Sequence, residues 1–250
     1  MTTITPIPAF QDNYIWLISN YQHAVVVDPG DAAPVIAYLK QHQLTLDAIL
    51  VTHHHADHIG GIDKLARHYP CKIYAPLKEK YDFNHESVTD KQIIYLNNLQ
   101  LSLEVLEVPG HTLGHVAYYG ANSLFCGDTL FGAGCGRLFE GTPAQMFSTL
   151  QKLAQLPANT QIYCAHEYTE RNLQFALTIE PNNPALLSRI EQTHALRMTG
   201  KPSLPSSMAM ELSTNPFLRC HSAEIAKRMG LQGRELLEIF TAIRQARNVF

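Results

Sequence analysis

The segment Thr52-His53-His54-His55-Ala56-Asp57-His58 constrains this chain more than any other. It follows the apolar run Ala48-Ile49-Leu50-Val51 and precedes Gly60-Gly61 and a helical pattern. Loops at strand ends are where a rigid scaffold presents reactive groups. In extended backbone alternate side chains point the same way, so His53 and His55 can converge on one ion. The turn into the following helix re-aims Asp57 and His58 toward a second point, while His54 faces away. Imidazole combined with carboxylate suits Zn, Fe, Mn or Ni.

The same design recurs along the chain. Pro109-Gly110-His111-Thr112-Leu113-Gly114-His115 follows a candidate strand, Phe125-Cys126-Gly127-Asp128 closes one, and Cys164-Ala165-His166-Glu167 places a histidine after another. His115 reads as a residue that orients a ligand, or a backbone group, from behind. That leaves His53, His55, His58, His111, His166, Asp57 and Asp128, which are too many donors for one tetrahedral ion. They suit two ions that share a carboxylate, each with solvent in an open position. The total of 13 His points the same way, toward metal or proton chemistry.

Composition narrows the alternatives. At 250 residues and 46% hydrophobic, the chain can bury a core without staples. A net charge of −3 gives no electrostatic footprint for nucleic acid. The five cysteines (Cys71, Cys126, Cys135, Cys164 and Cys220) are odd in number and form no Cys-x-x-Cys pair, so reduced packing thiols are expected. The opening MTTITPIPAF carries neither signal-peptide nor transit-peptide character, and no run approaches the ~18 apolar residues of a membrane span. A soluble cytoplasmic monomer with no membrane or nucleic-acid partner is expected.

Short strands dominate up to residue 128, at 5–7, 14–19, 24–28, 48–52, 72–75, 102–108, 116–119 and 123–126. Helices are interleaved at 31–43 and 61–69. Thr142-Pro143-Ala144-Gln145 joins an N-cap, a first-turn proline and a capping-box glutamine, and should open a helix to about Leu156. A strand at 161–164 follows. Beyond about residue 170 helical patterns take over, at 170–180, 184–198, 222–230 and 234–247, with 201–207 as a loop.

The segments THHHADHIGG, PGHTLGH, CGDTLF and CAHEYT, in that order, resemble the metallo-β-lactamase superfamily. Gly132-Ala133-Gly134-Cys135-Gly136-Arg137-Leu138-Phe139-Glu140-Gly141-Thr142, His166-Glu167-Tyr168-Thr169 and the tail Ile243-Arg244-Gln245-Ala246-Arg247 narrow the resemblance to the glyoxalase II, or hydroxyacylglutathione hydrolase, family. The resemblance implies an α/β fold, a four-layer αββα sandwich with a C-terminal all-α domain. It divides into a catalytic domain at 1–168 and a helical glutathione-binding domain at 169–250. It implies His53, His55 and His111 on one divalent ion and Asp57, His58 and His166 on the other, with Asp128 as bridge; zinc is the first choice, iron and manganese the others. It also implies S-D-lactoylglutathione as substrate, D-lactate and glutathione as products, and a role as second step of methylglyoxal detoxification. Asp57 would orient, and take a proton from, the attacking hydroxide.

Glutathione would be held by Arg137, Phe139, Tyr168, Arg244 and Arg247. Arg stands at 137 where the family commonly has Lys, and Phe at 139 where some members have Tyr, so one hydroxyl contact is missing. Two superfamily alternatives share the His/Asp motif: a mononuclear-iron persulfide dioxygenase, which would not use the helical tail, and an RNA nuclease, which the net charge disfavours. A β-lactamase would be expected to carry a secretion signal.

Overall fold

A computed structural model describes residues 2–250. The chain forms two compact units. One comprises the residues up to Val108 together with Leu113–Gly127, the other Pro109–Thr112 together with Asp128–Phe250.

The first unit runs β1 (Thr3–Ala9), β2 (Asn13–Ser19), β3 (His23–Val27), α1 (Ala32–Gln41), β4 (Thr45–Leu50), α2 (Ala56–Ile59), α3 (Ile62–His68), β5 (Lys72–Pro76), β6 (Glu86–Val88), β7 (Ile93–Leu96), β8 (Leu101–Glu107), β9 (Val116–Gly120) and β10 (Ser123–Gly127). Strands β1 to β6 lie side by side in chain order. The first three pair antiparallel, and β3 to β6 pair parallel. Strands β7 to β10 form an antiparallel ladder. Parallel neighbours bring their C-terminal ends together, so Asp28, just past β3, donates its N–H to Leu50 O at the end of β4 at 2.9 Å. The β4 loop and the β3 loop therefore open at the same place.

Strand β2 is buried at all seven positions, the signature of a strand covered on both faces. Ile15 and Leu17 pack with Val35 and Leu39 of α1 and Ile62 and Leu65 of α3 in one apolar cluster. From β9, the buried Tyr118 donates its hydroxyl proton to Val51 O at 2.6 Å, and burial raises the phenol's pKa well above its usual value. Two strands, β6 and β7, go beyond the sequence expectation. They have three and four residues, too few for alternation to stand out.

The second unit contains β11 (Leu130–Phe131), β12 (Gly134–Cys135), α4 (Pro143–Leu153), β13 (Gln161–Cys164), α5 (Thr169–Ile179), α6 (Pro184–Met198), β14 (Ser206–Ser207), α7 (Met208–Thr214), α8 (Ala223–Arg228) and α9 (Leu236–Val249). The capping box forms as its sequence predicts: Thr142 Oγ1 accepts from Gln145 N at 3.2 Å and Gln145 Oε1 accepts from Thr142 N at 2.9 Å. Phe147 of α4 meets Phe240 of α9 at 5.5 Å. Helix α7 was not expected, and the 201–207 loop holds the short strand β14. All five cysteines are free, four of them buried. Among the described residues no helix is long and apolar enough to cross a membrane.

A buried polar knot holds the helical part together. The fully buried Glu211 accepts from Arg189 Nη2 at 2.6 Å, Ser206 Oγ at 2.6 Å, Ala133 N at 2.9 Å and Asn215 Nδ2 at 3.0 Å. Removing one partner of a buried ion pair leaves an uncompensated charge. Glu211→Ala is therefore expected to cost about 3–5 kcal/mol of stability, measured by urea denaturation. A loss below ~1 kcal/mol would show that Arg189 finds another partner or solvent.

Candidate metal centre

In the first unit the protonation pattern of the histidines follows from their neighbours. Asp28 is buried, in left-handed backbone (φ 53) that aspartate tolerates better than most residues. Its Oδ1 accepts from Thr52 N at 2.7 Å and its Oδ2 from Thr52 Oγ1 at 2.7 Å. Since the Thr52 hydroxyl spends its proton on Asp28, Oγ1 is the acceptor for His53 Nδ1 at 3.0 Å. His58 Nδ1 stands 3.0 Å from Asp28 Oδ2 and donates to it. Both imidazoles therefore carry their proton on Nδ1 and present the Nε2 lone pair, the state a metal requires.

His53 Nε2 lies 3.0 Å from His55 Nδ1, and His58 Nε2 lies 3.5 Å from Asp57 Oδ2. These are two converging donor pairs. Asn13 donates from Nδ2 to Asp57 Oδ2 at 3.0 Å and fixes that carboxylate. The ring of His54 turns instead to the buried Glu79, with Nδ1 3.1 Å from Oε2. His115, fully buried, stacks on His53 with centroids 4.5 Å apart and holds Val116 O from its Nδ1 at 3.0 Å.

In the second unit His111 Nδ1 donates to Arg137 O at 2.7 Å, which again leaves Nε2 as the donor atom. That atom is 3.4 Å from Asp128 Oδ2, and His166 Nε2 is 3.2 Å from Asp128 Oδ1. One carboxylate thus shows a separate oxygen to each of two imidazoles. Gly136 makes this loop possible: a Cβ there would stand 1.9 Å from Asp128 O and 3.2 Å from His111 Nδ1. His166 stacks on Tyr168 at 4.7 Å, and Phe139, largely exposed, meets His111 edge-on at 5.2 Å. Beside His166, Glu167 accepts from Ser203 N at 2.8 Å and so ties the 201–207 loop to this segment.

The arginines of the tail differ from one another. Arg244 is buried. It donates from Nη1 to Cys135 O at 2.7 Å and from Nη2 to Asn248 Oδ1 at 3.2 Å, and lies over the Phe217 ring at 5.1 Å. Arg247 is half-buried and donates to Asn172 Oδ1 from Nε at 3.3 Å and Nη2 at 3.1 Å. Desolvation, and then the positive charges of Arg244, Arg171 and Arg137, depress its pKa. None of these four arginines makes an ion pair with a carboxylate among the described residues.

Sequence reasoning missed Asp28, Asn13 and Glu79. Asp28 had a readable signal, since it ends a strand as Asp128 does, but the Pro-Gly after it marks an ordinary turn. Asp28→Asn keeps the shape and removes an acceptor oxygen and the charge. It is expected to weaken metal affinity about 10–100-fold, measured by chelator competition; unchanged affinity would make Asp28 a mere turn residue.

Layered α/β architecture carrying His/Asp donor sets for a divalent ion is that of the metallo-β-lactamase superfamily, whose model matches residues 9–166. The model for the hydroxyacylglutathione hydrolase C-terminus matches residues 167–250. A hydroxyacylglutathione hydrolase of Methylobacillus flagellatus is 59% identical over 250 residues, all of both chains. One from Photobacterium profundum is 53% identical over 254 residues, again covering both chains completely. ETHE1 from Myxococcus xanthus, a solved structure, has the same fold with a TM-score of 0.67 at 23% identity, over 100% of this chain and 99% of its own. The chain belongs to the hydroxyacylglutathione hydrolase family of thioester hydrolases.

Proposed function

We propose that this hydroxyacylglutathione hydrolase binds two divalent ions, zinc in first place, and cleaves S-D-lactoylglutathione and related 2-hydroxyacyl thioesters in the cytoplasm, as a monomer. His53, His55 and His111 would hold one ion and Asp57, His58 and His166 the other, with Asp128 shared. The catalytic part is residues 1–168 and the glutathione-binding part 169–250. The donor chemistry fits: His53, His58 and His111 each have Nδ1 engaged by an oxygen acceptor and Nε2 left as lone-pair donor. Ions bound there supply water activation and a counter-charge for the thioester oxyanion.

The chain's own residues do the rest. Asp57, steadied by Asn13, holds the attacking water and takes its proton on the carboxylate. The glutathione thiolate leaves without a strong general acid because a thiol is acidic enough to depart as the anion. His115 keeps the His53 ring in place.

The observation that carries the glutathione reading is the group Arg137, Arg171, Arg244 and Arg247: burial and the charges of the other three depress the pKa of Arg247, and none of the four pairs with a carboxylate among the described residues. Glutathione brings two carboxylates. Arg137 is exposed and Arg247 half-buried, so both can receive one, with Tyr168 and Phe139 as flanking surfaces. Arg244 contributes by holding the Cys135–Gly136 carbonyls, and so the course of the loop to Arg137.

These carboxylates keep their charge through hydrolysis, so the contacts act equally on ground and transition states. Arg247→Ala is expected to raise KM about tenfold, ~1.4 kcal/mol, with kcat unchanged. Thiol release from S-D-lactoylglutathione, with metal content measured on the same sample, tests the whole reading. An unchanged KM would reduce Arg247 to scaffold, and no thiol release from metal-loaded protein would overturn the substrate.

A further inference from the structure

Phe10 is out of place for reasons of folding alone. Ala9 pairs with Asn13, so the β1–β2 hairpin closes through the three residues 10–12. Phe10 adopts φ 53, the left-handed region that glycine or asparagine enters readily and a bulky aromatic residue does not. It also remains 61% exposed, so the strain is not balanced by burial. Strain of this kind persists where surrounding structure imposes it, and it clusters at functional sites.

The surroundings show what imposes it. A Cβ on Gly30 would stand 1.8 Å from Asp57 O and 2.9 Å from Phe10 Cε2. The missing side chain of Gly30 is therefore the room in which the edge of the Phe10 ring sits beside the Asp57 main chain. Three residues on, Asn13 bonds the Asp57 carboxylate. The hairpin tip and the ligand loop are thus pinned together, with an exposed ring at the seam.

We propose that Phe10 is the apolar wall for the acyl side chain of the substrate, and so a determinant of which acyl groups are accepted. This rests on the thioesterase reading above. In a glutathione thioester the carbonyl has two substituents. The sulfur leads to glutathione and the arginines; the acyl carbon carries a hydroxyl and an apolar group, a methyl in lactate or a phenyl in mandelate. Asp57 and Asn13 offer that group a carboxylate and an amide, and the exposed Phe10 ring supplies an aromatic surface beside them. Contact scales with the apolar group, so Phe10 matters little for lactate and more for mandelate.

Phe10→Gly and Phe10→Leu test this, with S-D-lactoylglutathione and S-D-mandeloylglutathione as substrates and Tm as a second measurement. For Phe10→Gly the mandeloyl KM is expected to rise about five- to tenfold, the range of one aromatic pair, and the lactoyl KM less than about twofold, with both kcat values kept. Phe10→Leu should fall between. The Tm of Phe10→Gly should hold or rise, because glycine relieves the left-handed strain. Equal KM changes for both thioesters, no change for either, or a fall in Tm would overturn the proposal and make Phe10 an anchor of the hairpin. A parent protein that hydrolyses neither thioester would instead overturn the functional reading, and the acyl-wall role with it.

Discussion

On the proposed two-ion assignment, Asp128→Ala is expected to lose most of its bound metal and at least about four orders of magnitude in thiol-release rate, ~5.5 kcal/mol of transition-state stabilisation. The reason is the position of its carboxylate, with Oδ2 3.4 Å from His111 Nε2 and Oδ1 3.2 Å from His166 Nε2. Under that assignment one carboxylate would serve both ions, so its loss would be felt twice. His54→Ala is the matched control. It removes the histidine between His53 and His55, whose ring is engaged by Glu79, and metal content and activity should survive. Elemental analysis and steady-state kinetics on both variants decide the matter. Full metal occupancy in Asp128→Ala, or an apo protein in His54→Ala, would refute the assignment of the loop.

Asp57→Asn should fail differently. The amide matches the carboxylate in shape but cannot take up a proton or balance a cation. Its side chain is 43% exposed, and Asn13 donates to Oδ2. General-base catalysis is worth about 10²–10⁴, and kcat should fall by that amount once metal has been restored to parent levels. A tenfold or smaller loss at full occupancy would exclude Asp57 as the proton acceptor.

The two variants separate what was readable in the chain from what was not. Histidines and aspartates after apolar strands were legible because an extended strand ends where its apolar run ends, and donor residues clustered there have few other uses. The capping box at Thr142 was legible because it is local, spanning the four residues Thr142 to Gln145. By contrast β6, β7 and α7 are short enough that tertiary packing outweighs any periodicity they carry.

The amino-acid sequence by itself determined the family, the chemical class of the donors and the order in which strands deliver them. Tertiary structure alone decided which atoms of those residues are available. Asp28 and His58 are 30 positions apart, and parallel pairing of β3 with β4 puts the carboxylate against Nδ1 and so leaves the Nε2 lone pair available. Likewise Arg244 and Arg247 look equivalent in sequence, three apart on one helix. Burial sends the first to the Cys135 carbonyl and leaves the second at half-buried depth beside other cations. Spacing along a chain states which residue types can meet; only the packed interior, where every polar group must find a partner, settles which proton and which lone pair each one shows.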